Sequence, residues 1–302
     1  MIHGMESNYS MDWDKMRSDP YLEGREDWYY RMLSYTKIIG AVNLICQLYF
    51  VVRIAYSTAL HINFRISVCN TIISLELMSL TEGLAHFYND YTVFIEPRFW
   101  PNVGCIAVGV INNIAVFGSA SAMFMLALER HLAYRLVDVY EEKPNTLGCA
   151  LGTIVVLQSS ICGAALWCYF VVYLSRFDVY TSRLGCAATD VTWQWQFGAY
   201  VLAFGSCAAG LVWVRILSRR AKLSKKTRLN LKNLSARYQA TENYQTMCSI
   251  YRSMFFYLLL TVVGITSGAL RGYVVYHHGE NTISSRMLVT VSHIYDFIYL
   301  II

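Results

Sequence analysis

A charged triplet, Glu129-Arg130-His131, closes the third long apolar run of the chain. Charges at the carboxyl end of a helix have an ordinary use, because cations there complement the helix dipole and mark the membrane boundary. Their functional use is an ionic latch that holds one packing of helices and releases when the helices shift. The position, at the inner end of the third run, favours the latch. Further ionisable groups lie inside apolar runs: Glu76, Glu82, Arg271 and Asp296, with His86 and His293. Such groups are expensive in lipid and usually mark function. By helical rise, Asn43, Glu76 and Asp296 share a middle depth and can form a buried polar cluster, one able to enclose an ion. Glu82, His86, Asn112, Asn113, Arg271 and His293 lie nearer the outside and are the candidates for a ligand pocket. Glu82 and His86 are four apart and so share a helical face. The plainer reading of all these residues is interhelical hydrogen bonding that holds a bundle together.

The other reactive groups point away from catalysis. Among nine cysteines, most fall inside apolar runs, where a thiol behaves as a small hydrophobe. Cys105, at the outer end of the third run, and Cys186, in the outer loop after the fourth, both face an oxidising side where disulfides persist. A bond between them would tie that loop over the mouth of the bundle; the alternative is two separate thiols. No paired C-x-x-C or H-E-x-x-H spacing suggests a metal, and no nucleophile–base pairing stands at usable spacing. No cofactor is expected.

These residues need a scaffold, and the composition says which. Hydrophobic residues make up 56% of the 302 and charged ones 15%, against about 25% charged in a soluble domain. The apolar residues come in runs long enough to cross ~30 Å of hydrocarbon. Where lipid offers no hydrogen-bond partner, such runs must be helices. Seven spans result: Leu33–Tyr56, Ile62–His86, Val103–Arg130, Leu147–Leu174, Trp193–Leu217, Ser253–Tyr276 and Met287–Ile302. The second is interrupted by Glu76 and Glu82, the fifth is rich in Gly and Ala, and the last, ending at Ile302, reads as a truncated helix. All four prolines lie outside the spans. The fold class is therefore an all-α, seven-transmembrane helix bundle, residues 33–302, behind a polar tail, residues 1–32. That tail is acidic and lacks the basic start and short apolar stretch of a cleavable signal.

Lys and Arg set the orientation. Arg215–Arg252 holds ten of them and a single acid, Glu242, while Arg130, Arg135 and Lys143 add to the loop after the third span. Loops 131–146 and 218–252 are thus cytoplasmic, and an odd number of spans leaves the amino terminus outside. The sequon Asn8-Tyr9-Ser10 sits in that outer tail, where glycosylation is possible. Leu132, Leu136, Val139 and Tyr140 recur at helical spacing among charges, which suits either a short helix on the inner membrane surface or a solvated loop. The basic loop suits anionic headgroups, and a net charge of +5 gathered there indicates a membrane surface rather than nucleic acid.

Two stretches carry a family resemblance. One is Leu128-Glu129-Arg130-His131-Leu132-Ala133 followed by Asp138-Val139-Tyr140-Glu141-Glu142-Lys143. The other is Leu234-Ser235-Ala236-Arg237-Tyr238-Gln239-Ala240-Thr241-Glu242-Asn243. With them the chain resembles the nematode serpentine chemoreceptors, in particular the Sre family or a close Sra-type relative. The resemblance implies a G-protein-coupled receptor for small molecules in the plasma membrane of sensory neurons, partnered by a heterotrimeric G protein. It implies that Glu129, Arg130, Tyr140, Arg237, Gln239 and Glu242 line the transducer-facing side. Similarity to rhodopsin-like receptors is looser. Cys105, Cys186, Glu129-Arg130 and Trp100 fit, but Phe297 stands where Asp296-Phe297-Ile298-Tyr299 would need proline, and the sixth span has no W-x-P. The alternative class is a ligand-gated channel or small-solute transporter that uses Glu76, Glu82, Arg271 and Asp296 as its pathway.

Overall fold

The computed structural model describes residues 26–58, 60–92, 97, 99–136, 140, 146–169, 179–180, 189–223 and 234–278. Within these, the chain is entirely helical: α1 Glu26–Ala55, α2 Ile62–Thr92, α3 Phe99–Arg135, α4 Thr146–Cys168, α5 Thr189–Leu223 and α6 Leu234–His278. The expected seventh span, Met287–Ile302, lies outside the described residues, as do Asn8, Cys186, His293 and Asp296.

Among the described residues, α3, α4 and Ala240–Thr266 of α6 are each long and apolar enough to cross a membrane. The surface has the polarity that lipid requires. Ile38, Val42 and Ile45 on α1, Ile154, Leu157 and Ile161 on α4, and Phe256, Leu259 and Val263 on α6 all face outward. Meanwhile Asn113, Ser119, Ser121, Glu129 and Arg130 are buried along α3. A water-soluble fold has the reverse distribution. Hydroxyls settle within their own helices: Thr71, Thr153 and Thr261 each donate to the carbonyl four residues back, at 2.8–2.9 Å.

Helix α3 is the central post, packed against α2, α4, α5 and α6, while α1 leans on α2. On the α2 and α4 side, small residues let backbones meet. A Cβ added at Gly163 would lie 2.6 Å from Ile114 N, and one at Gly109 would lie 2.3 Å from the Trp167 indole. Gly118 faces the hydroxyls of Ser74 and Ser159 together. On the α5 and α6 side, Met123, Leu126, Leu211, Val214, Met247 and Met254 pack as an apolar cluster.

The helices outrun the apolar runs that mark them. The stretch 218–252, expected as a loop, is largely helix: α5 continues to Leu223 and α6 begins at Leu234. Hydropathy reports only the part of a helix that sits in lipid, whereas backbone bonding continues until something breaks it. Leu234–Arg252 contains no Gly or Pro. After α3, the amide of Leu136 donates to Leu132 O and that of Tyr140 to Leu136 O, both at 2.8 Å, each with the four-residue step of an α-helix. Tyr140 turns inward and is buried, instead of lying on the membrane surface as a surface helix would place it.

Candidate functional site

The carboxyl end of α3 buries both charges of its terminal pair: Glu129 is 0% exposed and Arg130 is 1%. A guanidinium taken out of water is tolerable only when its charge and its N–H groups find partners. Arg130 Nε donates to Glu129 Oε2 at 2.5 Å and Nη2 to Oε1 at 2.7 Å. Nη1 donates to Asn243 Oδ1 at 2.9 Å and to Thr246 Oγ1 at 3.2 Å, both on α6. The Phe64 ring of α2 covers the guanidinium face, 4.0 Å from Cζ to the centroid. Side chains of consecutive helical residues point about 100° apart and do not naturally face each other. The Glu129–Arg130 fork is therefore held from outside.

One outside hand is Tyr140. It is 1% exposed, and its hydroxyl donates a hydrogen bond to Glu129 Oε1. Burial, and then the Glu129 carboxylate beside it, raise the phenol far above its usual range, so it stays a donor. Behind Tyr140 stands His61, its ring centroid 4.3 Å away. His61 is the residue just before α2, and its Nδ1 accepts from the Asn63 amide at 3.3 Å, as an N-cap does. Burial lowers the His61 pKa, and the positive charges of Arg130 and Arg65 add to the fall while Glu129 opposes it. The neutral imidazole that results has its proton on Nε2. Asn63 Oδ1 in turn accepts from Gly148 N at 2.9 Å, tying the start of α2 to the start of α4. A side chain at Gly148 would collide with the Asn63 backbone, 2.9 Å from its Cα.

The other hand is α6. Asn243, Thr246, Met247, Ile250 and Met254 recur at helical spacing and face inward. Asn243 also donates to Ala133 O at 3.3 Å, so it holds α3 by two bonds. Glu242 is half-buried and adds negative charge near Arg130. A second polar contact joins the same helices further along, Ser119 Oγ to Tyr257 OH at 3.1 Å. Of the residues assigned to the transducer side, Glu129, Arg130 and Tyr140 are brought together, with Glu242 beside them. Arg237 is exposed near the start of α6, and the side chain of Gln239 lies outside the described residues. Sequence reasoning missed Asn243, Thr246, Phe64 and His61. Asn243 closed the second motif, but only an unbroken α6 puts it on the face that meets Arg130.

The far end of α3 is built differently. Cys105 is buried and disulfide-bonded; Cys186, its expected partner, lies outside the described residues. Nearby, Asn102 Nδ2 donates to Val179 O at 2.8 Å, and Phe99 stacks on Tyr180 with centroids 5.2 Å apart. The segment after α4 is thus pinned to the start of α3. Of the expected pocket residues, Asn112 is half-buried and Asn113 is buried, donating to Gly109 O within its own helix at 3.0 Å. The side chains of Glu82, His86 and Arg271 lie outside the described residues. In the expected middle cluster, Asn43 Nδ2 donates to Glu76 Oε1 at 3.2 Å, joining α1 to α2.

Comparison with known families accounts for this plan. The profile of the family described as "Serpentine type 7TM GPCR receptor class ab chemoreceptor" matches residues 29–300. No curated protein matches the chain significantly. The match takes in nearly the whole sequence, and the chain belongs to that family of multi-pass membrane receptors.

Proposed function

We propose that this serpentine class ab receptor detects a small molecule from outside the cell and passes the signal to a heterotrimeric G protein. One observation carries the reading: a fully buried Glu129–Arg130 pair whose guanidinium, among the described residues, bonds across to another helix at Asn243 and Thr246 of α6. A ligand that prefers a packing in which α6 has moved from α3 shifts the population toward it, and breaking those bonds uncovers Arg130 for a partner. Arg215, Arg219, Arg220 and Lys222 of α5 and Arg237 and Arg252 of α6 lie toward this end, which supports placing it in the cytoplasm, with residues 1–32 and the sequon at Asn8 outside. The disulfide of Cys105 supports the same sidedness, and we assign its partner as Cys186. The ligand site is placed near the outer mouth, among Glu82, His86, Asn112, Asn113, Arg271 and His293. We take the receptor to work in the plasma membrane of a sensory neuron, and we read the likeness to the Sre motifs as kinship between serpentine classes.

The test is calcium signalling in cells that carry a promiscuous G protein, scanned over volatile and water-soluble compounds. A dose-dependent response that disappears in Arg130→Ala is expected. Because that variant strands a buried carboxylate, the pair Glu129→Gln with Arg130→Met is measured beside it for surface expression. An undiminished response in a well-expressed pair variant would refute the latch. Ligand-evoked currents that persist with G proteins blocked would refute the coupling.

A further inference from the structure

The carboxyl end of α1 forms a feature that the latch does not use. Val52, Arg53, Tyr56, Ser57 and Thr58 line an open cavity of about 420 Å³. A cation in the last turn of a helix ordinarily serves the dipole and the orphan carbonyls. Here that work is done by others. Arg65 Nη1 reaches back from α2 to donate to Ala55 O at 2.7 Å, while the amides of Tyr56 and Ser57 close on Val52 O and Ile54 O, each at 3.1 Å. Arg53 is exposed, and its guanidinium makes no hydrogen bond or ion pair to another described residue. Tyr56 is 81% exposed.

The polar side chains of this cavity are a guanidinium fork, a phenol and two hydroxyls. All donate hydrogen bonds, and no carboxylate lines it among the described residues. That set suits phosphate oxygens, which accept from several donors at once and pair with the planar fork. Leading to it along one face of α1 is an exposed apolar track, Ile45, Leu48, Tyr49 and Val52, at spacings of three and four. Donors at the end of an apolar track match a phospholipid, head and tail. The cavity is also at the basic end of the bundle. Arg65 adjoins Phe64, which lies against Arg130, and Arg135, Arg219, Arg220 and Lys222 end α3 and α5. Anionic lipid concentrates beside such surfaces.

We propose that this cavity binds the phosphate-bearing headgroup of an anionic phospholipid, with an acyl chain along the Ile45–Val52 track. The site is independent of the latch and of what the receptor detects.

The whole 302-residue chain is purified into phosphatidylcholine nanodiscs containing a small fraction of phosphatidylinositol 4-phosphate, and retained lipid is counted by native mass spectrometry. Arg53→Gln is expected to weaken retention about tenfold, the size of one lost charge-assisted bond. Ser57→Ala with Thr58→Ala is expected to weaken it by a smaller factor. Arg219→Gln, which removes one positive charge elsewhere at the same end, is expected to leave it unchanged. Equal weakening by Arg53→Gln and Arg219→Gln would reduce the effect to diffuse attraction and overturn the site, as would full retention in Arg53→Gln. The deacylated headgroup, added in solution, is expected not to displace the lipid. Displacement at equal concentration would make the ligand a soluble phosphate and overturn the lipid assignment.

Discussion

Helix α3 has two seams of opposite character. Toward α2 and α4 it packs through Gly109 and Gly118, which meet Trp167 and the hydroxyls of Ser74 and Ser159, and Gly163 of α4 sits almost on the backbone of Ile114. Toward α6 it is joined by side-chain bonds: Arg130 to Asn243 and Thr246, Asn243 to Ala133 O, and Ser119 to Tyr257. The first seam is made of small residues pressed against the Trp167 indole, two hydroxyls and, at Gly163, the backbone of α3, so sliding it brings atoms into collision. The second is made of discrete bonds that can be exchanged for a partner's or for water's. The difference separates the part of the bundle that keeps its shape from the part that can change it.

Breaking the rigid seam should have the largest effect. Gly163→Val puts carbon against the Ile114 amide, and overpacking of about 3 kcal/mol or more should remove the protein from the cell surface whatever the ligand. Surface labelling checks this, and normal levels would mean the seam yields. Next comes Arg130→Ala, which leaves Glu129 charged, buried and short of its counter-ion. A loss of about 3–5 kcal/mol is expected, and Glu129→Gln with Arg130→Met should recover most of it in thermal unfolding without recovering signalling. Smaller effects belong to the groups that hold the pair from outside. Tyr140→Phe and Asn243→Ala each remove hydrogen bonds to a charged group, about 1.5–3 kcal/mol. Both should raise signalling in the absence of ligand, since they weaken the closed packing. Basal activity at or below that of the parent would separate these residues from the switch.

The smallest expected effect is a pH dependence. His61 has a lowered pKa in the folded protein, so the unfolded chain takes up the proton first as pH falls. The stability it contributes is complete above the ordinary histidine value near 6.5 and is lost as pH drops below it toward the folded value. Protonation also removes the Nδ1 acceptor from the Asn63 amide. Unfolding temperature should therefore decline on acidification from neutral pH, and His61→Asn, which keeps a capping oxygen but does not titrate, should flatten that decline. An equal decline in the variant would place the sensitivity elsewhere.

How much of this was legible beforehand differs between the fold and the site. Apolar runs located α1 to α6, because hydropathy and the demand for internal hydrogen bonds are properties of local sequence. Their ends were legible only in part. The 45-residue α6 runs well past its lipid-crossing stretch, and the polar half of a helix looks like a loop when only apolar length is counted. Glu129 and Arg130 could be singled out, since an adjacent acid and base close the third apolar run at its inner end. Their partners could not, because Phe64, Asn243 and Thr246 are ordinary residues far away in sequence.

By itself, then, the sequence determined a helical membrane protein, its basic end and the buried pair's position on α3, all of which follow from short-range pattern and the cost of polar groups in lipid. Only the tertiary structure decided what that pair touches. Helix rotation and crossing bring Phe64 of α2 and Asn243 and Thr246 of α6 to the guanidinium and Tyr140 to the carboxylate, and that choice is made by packing among segments that do not meet along the chain.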